Sequence, residues 1–513
     1  MRGGSVSARA RLRVRVRSVV TLAGALLAAG VLAVLLGGES LAAALAATAV
    51  LAACAAVAFG RQLRRPLIAL LFFLAPFDIS KAVVAPLGSI FYATGPYYSP
   101  GLYVTLAEMT LIALFAVWVV RRLFIERGAL PLTRLDALSF AYLAWIWVRA
   151  IGAEQGVLAL ATAAAYSLAV LCFYVVSHQL ADRDDMRVAL RAALCGLAFQ
   201  VVYVAAQAAS GSLLGLPGSK AIAFGSVIDL GGAGQAFRPP GTFNHPNALA
   251  HFLVVLLPPL LALVMLGGGR LAARTRGVAL AALVGGFAIL LITLSRGGWA
   301  AFTVAALGVV AVYWRRGIVS DRQLGRGLLG VLAGGVLLLI AEPNLLLRLT
   351  APDGRSLESR TLLADMAWTI IQANPWLGVG YGDYNRAAFS YIDPAWGAVS
   401  ADYQFSLHQL VVHNHFLLIA AEIGIPATLF FGYLLWRFVR MPRPLSRWQD
   451  PARFALATGL AASLVGQAFF LNSDNYYVDI RIFLLWMSAG VLQALCLQTP
   501  LPDAATPGRE PGA

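Results

Sequence analysis

Apolar residues in this chain come in long runs, separated by short polar stretches. About fourteen runs can be drawn, at 18–37, 41–59, 67–85, 102–120, 136–151, 157–177, 188–209, 247–266, 278–294, 297–314, 327–342, 411–436, 454–471 and 481–498. A helix needs about 20 apolar residues to cross a bilayer. The pattern predicts an all-α, polytopic membrane protein with about 14 transmembrane helices. The run at 67–85 carries Pro76, Asp78 and Lys81 and is the one expected to break or re-enter.

The polar stretches divide into two kinds. Residues 1–17 hold Arg2, Arg9, Arg11, Arg13, Arg15 and Arg17, and alternate loops from there on are rich in arginine. Positive charge stays on the cytoplasmic side, so the bias predicts a cytoplasmic N-terminus. The remaining loops then face outward. Two of these are long, 210–246 and 343–410, and the second should hold structure of its own. In it, residues 357–373 place Leu362, Leu363, Met366, Ile370 and Ile371 at helical spacing, ending at Asn374-Pro375. This predicts an amphipathic helix in the outer loop. The organisation reads as N-terminal transmembrane helices over 1–209, a core over 210–440 that includes both long loops, C-terminal helices over 441–498, and a disordered tail rich in Pro, Ala and Gly over 499–513.

Composition agrees with the pattern. The 513 residues are 60% hydrophobic and 12% charged, with mean hydropathy +0.77. The net charge of +15 suggests nucleic acid at first sight, but the one-sided loops account for most of it, and no nucleic-acid partner is expected. Cys54, Cys172, Cys195 and Cys496 all lie in apolar runs, which supports neither a disulfide framework nor a zinc site.

The candidate chemistry is what topology leaves unexplained. Arg238 lies in FRPPGTFNHPNALAHFL, Arg296 in the short turn LSRGGW, and Arg355 and Arg360 at the start of the loop helix. A guanidinium is a permanently charged fork that matches phosphate oxygens. A single such arginine is equally at home against a lipid headgroup or in a loop ion pair. His413 and Asn414 open an apolar run, and Gly424 follows after HFLLIAAEI. A titratable imidazole at a lipid–water boundary suits a base acting on a lipid-linked substrate. Residues two apart on a helix point about 200° apart, so His413 and His415 are a poor metal pair. His415 and Glu422, seven apart, would share a face, either as a polar pair within the bundle or as support for a catalytic group. GVGYGD lacks a following Lys-Ser/Thr and reads as a turn. No HExxH motif is present, so no metal is expected.

Taken together, these elements resemble the O-antigen ligase/polymerase superfamily. The resemblance covers mainly residues 230–440. It rests on RPPGTFNHPN at 238–247, SRGG at 295–298, SRTLLADMAWTIIQANPWLGVGYGDY at 359–384 and HNHFLLIAAEIG at 413–424, in that order. The ligase branch carries His, then Asn, Ser or Gln, then nine residues and Gly, which His413, Asn414 and Gly424 fit. The resemblance implies a GT-C-like glycosyltransferase in the inner (plasma) membrane. It would take glycan from an undecaprenyl-diphosphate carrier and pass it to an acceptor hydroxyl on a glycan or lipid, with no cofactor and no metal. In that scheme His413, Arg238 and Arg296 are catalytic. Arg360, Arg355, Asn247 and Asn414 bind substrate, and His415 and Glu422 support. A polymerase that lengthens the same glycan stays open as an alternative. So does a solute or bicarbonate transporter, although that class places its ionisable residues near mid-membrane.

Overall fold

A computed structural model describes residues 62–84, 102–180, 182–215, 226–229, 234–266, 271–341, 343–350, 354–391, 411–443, 445, 450–474 and 480–498. The first two apolar runs and the C-terminal tail lie outside the described residues. The elements, in chain order, begin with a helix α1 over 62–74, strands β1 (Ser80–Val84) and β2 (Leu102–Thr105), and helices α2 (Leu106–Val120), α3 (Arg134–Ile151), α4 (Val157–Gln179) and α5 (Arg183–Ser210). A short ribbon of β3 (Val227–Asp229) and β4 (Gln235–Phe237) leads to α6 (Pro246–Met265), α7 (Ala273–Ile292), α8 (Arg296–Arg315) and α9 (Asp321–Ala341). Then come α10 (Pro343–Thr350), α11 (Gly354–Ala373), α12 (Tyr384–Ser390), α13 (His415–Ile423), α14 (Ile425–Arg440), α15 (Pro451–Phe470) and α16 (Ile480–Leu497).

Among the described residues, seven helices have the length and hydropathy of a membrane crossing, namely α4 to α8, α15 and α16. Their burial sorts them into two rings. The most apolar windows of α4, α6, α15 and α16 are 72%, 78%, 78% and 89% buried, whereas those of α5, α7 and α8 are only 33%, 22% and 28% buried. The outer three turn Val202, Val284 and Leu307 away from the protein, as a face in lipid requires. The protein is thus helical and multi-pass. The centre is aromatic: Trp486 on α16 is fully buried, donates to the Tyr166 hydroxyl at 3.2 Å and packs against Phe173 and Phe438.

Local sequence explains where the helices start. Thr105 with Glu108, and Thr133 with Asp136, form reciprocal capping boxes that satisfy the first free N–H groups of α2 and α3. Asp182, His245, Ser295, Asn414 and Asp450 cap α5, α6, α8, α13 and α15. Three of these caps, His245, Ser295 and Asn414, lie in stretches that the sequence analysis singled out.

Two expectations change, and the break expected at 67–85 is present. The run at 67–85 is not one helix: α1 ends ahead of Pro76, and Ser80–Val84 pairs antiparallel with Leu102–Thr105. With the β3–β4 ribbon, this corrects the all-α reading to a mostly helical protein with two small ribbons. The run at 411–436 breaks at Gly424 into α13 and α14. The loop helix is present as α11, and it is the centre of a second small core. Leu363, Met366, Ala367, Ile370 and Ile371 bury against Val411, Val412, Leu418 and Ala421.

Candidate functional site

Four turns meet at one end of the helices. Arg238, just before α6, is buried and serves as their centre. Its Nε donates to the Thr293 carbonyl at 2.7 Å, and its Nη2 donates to Asn247 Oδ1 at 3.1 Å. The same Asn247 oxygen accepts from Ser295 Oγ at 2.9 Å, and Asn247 Nδ2 donates to Asp474 Oδ2 at 3.2 Å. Asp474 in turn accepts from Arg481 Nη1 at 2.6 Å. One chain of bonds therefore ties the α6 entry, the α7–α8 turn and the α15–α16 turn. Arg348 on α10 adds the fourth, donating through Nε to the Leu294 carbonyl at 3.3 Å. The SRGG glycines make this convergence possible. A Cβ on Gly298 would lie 2.6 Å from that of Ala250, and one on Gly297 would lie 2.8 Å from the Phe470 ring.

The electrostatics are dominated by clustered like charge. Burial, then Arg348, Arg296 and Arg360, push the Arg238 guanidinium down to about 9, against the opposing pull of Asp474. Burial with Arg296 and Arg360 pushes Arg348 down to about 10. Both remain cations at neutral pH, held close together in a partly dry setting where charge interactions are strong. For Asp474, burial pushes the carboxyl up. The charge of Arg481, with His413, His245 and Arg360 adding, overrides this and brings it down to about 2. Five guanidinium groups thus bear on a region in which Asp474 is a carboxylate.

His413 stands just ahead of α13, half-buried. Burial lowers its pKa, Asp474 opposes, and Arg360 and Arg481 lower it further. The imidazole is therefore neutral at neutral pH and can accept a proton. Asn414 caps α13, its Oδ1 accepting from the N–H groups of Phe416 and Leu417 at 3.0 and 3.1 Å. That cap fixes the direction in which the chain leaves His413. The His415 backbone N–H donates to the Leu471 carbonyl at 2.8 Å, linking α13 to the turn that carries Asp474.

Gly424 ends α13 for a steric reason. Its φ is +87°, and a Cβ there would sit 2.1 Å from the Trp376 carbonyl oxygen. The loop after α11 is pressed into this break. Val379 and Gly380 donate to the carbonyls of Ala421 and Glu422 at 2.8 and 2.9 Å, and Ile425 donates to that of Pro375 at 2.9 Å. Gly378, at φ +69°, would put a Cβ 2.3 Å from the Glu422 carbonyl carbon. The GVGYGD turn is thus a docking strap. Asp383 completes it by accepting from the backbone N–H groups of Glu154 and Gln155.

The structure brings Arg238, Arg296, Arg360 and His413 into one electrostatic neighbourhood. Asn247 lies there too, with its side chain committed to holding Arg238, Ser295 and Asp474. Asn414 acts as a helix cap. Arg355 belongs to α11, but its side chain lies outside the described residues. His415 packs edge-on to Phe431, whereas Glu422 Oε1 accepts from the Tyr384 backbone N–H at 3.3 Å. Three members were not foreseen. Arg348 sits in what reads as an ordinary amphipathic segment, and Asp474 and Arg481 flank the last loop. For that last pair, the available signal was opposite charges seven residues apart across a turn. Among the described residues, no three His, Cys, Asp or Glu side chains gather in a way that could hold a metal ion.

Fold and site define a class first: a multi-pass helical membrane protein with a cation-rich convergence of turns at one end of its helices. Residues 280–432 match the family model described as O-Antigen ligase. The match supports placing the chain in the O-antigen ligase superfamily. It takes in Arg296, Arg348, Arg360, His413 and Gly424, while Arg238, Asp474 and Arg481 fall outside it. No curated protein matches the chain.

Proposed function

We propose that the protein transfers a glycan from a polyprenyl-diphosphate carrier to an acceptor hydroxyl at the extracytoplasmic face of the plasma membrane. The observation that carries this reading is the gathering of Arg238, Arg296, Arg348 and Arg360 beside a neutral His413. The arginine bias of the alternate loops supports an outward-facing site.

The acceptor hydroxyl oxygen attacks the anomeric carbon, and the bond from that carbon to the diphosphate oxygen breaks. The electron pair leaves with the diphosphate. The guanidinium groups are already in place to stabilise that growing charge, without reorganisation during the step. His413 takes the hydroxyl proton. The broken glycosyl–phosphate bond supplies the driving force. Asn247, Asp474 and Arg481 hold the site's shape, and α11 packs against Val411 and Val412, which lead into His413.

The test uses purified protein, a synthetic undecaprenyl-diphosphate glycan and candidate acceptors, with EDTA present. Transfer that is lost in His413→Ala and in Arg238→Ala supports the reading. Transfer that requires an added divalent metal, or that persists in both variants, removes it. Growth of the same glycan, without a separate acceptor, would assign the polymerase reaction to this site.

A further inference from the structure

A half-open cavity of about 350 Å³ lies far from the site just described. It is lined by Arg64, Trp118, Arg121, Arg122 and His178, with Glu126 and Asp182 as the acidic members. Helix α16 sets its distance from the arginine cluster. Arg481 begins α16 within the cluster, and Gln498, just past its end, donates to the Leu180 carbonyl beside His178. Eighteen helical residues separate the two places, which is roughly 27 Å.

The cavity is built from ordered parts. Glu126 grips both neighbouring arginines, accepting from Arg121 Nε at 2.7 Å and Arg122 Nη1 at 3.0 Å. Arg122 Nε also donates to the Ala129 carbonyl at 3.1 Å. Arg64 pairs with Asp185 and donates to the Gln179 carbonyl. Its Nε is buried and has no acceptor among the described residues. The His178 ring stacks on Trp118 with centroids 5.9 Å apart, and its Nε2 lies 2.9 Å from Asp136 Oδ2. The backbone beside the cavity is unusual: Arg121–Ile125 forms a π-helical turn, and Arg127 has φ +51°. Such departures gather at functional sites.

Two features point to the ligand. Three guanidinium groups line the cavity beside two carboxylates, and the buried Arg64 Nε–H has no acceptor among the described residues, so the lining offers donors to an anion. The residues that follow the lining positions Arg122 and Pro131 in the chain are apolar and exposed: Leu123, Phe124, Ile125 and Leu132 are 42%, 73%, 53% and 64% exposed. A pocket of this volume admits a small polar group, and these residues offer a surface for hydrocarbon leaving it. We propose that this cavity binds the phosphate headgroup of an anionic membrane lipid, with the lipid chains lying along Leu123–Ile125. The site is independent of the glycan-transfer reading.

The experiment uses full-length protein in detergent and a short-chain phosphatidate carrying a photoactivatable chain. Crosslinks are mapped to peptides spanning 117–134 as a function of probe concentration. We expect saturable labelling there. Unlabelled phosphatidate should compete on the order of tenfold better than phosphatidylcholine of the same chain length, because charge-assisted bonds to an unshielded phosphate are the stronger ones. The double variant Arg121→Gln, Arg122→Gln should weaken half-saturation on the order of tenfold. Glu126→Gln should strengthen it, because it releases donors now held by the carboxylate, and misfolding cannot mimic a gain. Equal competition by phosphatidylcholine, an unaffected double variant, or weaker labelling in Glu126→Gln would overturn the proposal. Inorganic phosphate competing as well as phosphatidate would make this a free-anion site and overturn the lipid assignment.

Discussion

The two ends of α16 handle arginine in opposite ways. Near Gln498, cations are matched by acids. Arg64 and Arg65 both engage Asp185, Arg183 pairs with Asp450 at 2.8 Å, and Arg187 pairs with Asp184 at 2.7 Å. Near Arg481, five arginines bear on one region around Asp474, and Arg238 and Arg348 each donate to a backbone carbonyl. Such carbonyl contacts fix a guanidinium in position. Concentrating like charge is unfavourable for folding, and the diphosphate proposed to bind here would relieve that repulsion. At the other end the paired arginines are met by carboxylates, and the cavity between α2 and α4 is set apart by the buried Arg64 Nε, which has no acceptor among the described residues.

The largest expected effect separates chemistry from both ends. His413→Ala should lower transfer by about 10²- to 10⁴-fold, with the variant still folded and inserted. A residual rate near that of the unaltered protein would remove His413 as the base. The comparison itself is tested by Arg348→Ala against Arg65→Ala. The first should cost about 10²-fold in transfer, as loss of one charge-stabilising donor does. The second should leave transfer unchanged and shift stability by no more than about 1 kcal/mol. Equal effects of the two on transfer would mean that the surplus at one end has no catalytic meaning.

The sequence was informative about parts and poor on their meeting. Arg238, Arg296, Arg360 and His413 stood out because each lies in or beside an outer loop where the charge bias of topology does not explain a cation or an imidazole, and such loops are where helices converge. Arg348 was missed because nothing local distinguishes it, and the opposite charges of Asp474 and Arg481 gave only a weak local signal. Their place in the site depends on distant contacts, such as that of Asp474 with Asn247, 227 positions away in the chain. Gly424 was visible as a motif residue without its reason. Two apolar segments joined by Gly-Ile-Pro read as one run, and only the strap at 375–380 shows why the run must break. Gly424→Ala should therefore destabilise the protein by at least about 2 kcal/mol, from the left-handed φ and the contact with Trp376. Thermal unfolding in detergent reads this directly. A stability equal to that of the unaltered protein would mean that the strap is not docked there.

The smallest effect is the most specific, because its sign is set by which charge is removed. Burial holds the His413 pKa below its ordinary value, with Asp474 pulling it up and Arg360 and Arg481 pulling it down. The neutral, proton-accepting form therefore persists at pH 7, and transfer should fall only as pH drops through the depressed value, below the usual ~6.5. Asp474→Asn removes the upward pull, so the acid limb of the rate profile should move to lower pH. Arg360→Gln removes a downward pull, so the limb should move to higher pH. Each shift should be under about one pH unit, as expected for charges partly screened by water. The position of the limb is read, not the height of the plateau, so a general loss of activity in either variant does not confuse the result. Shifts of the same sign in both variants would mean that the titrating group is not His413. Opposite shifts would tie the base to the same electrostatic neighbourhood that gathers the arginines.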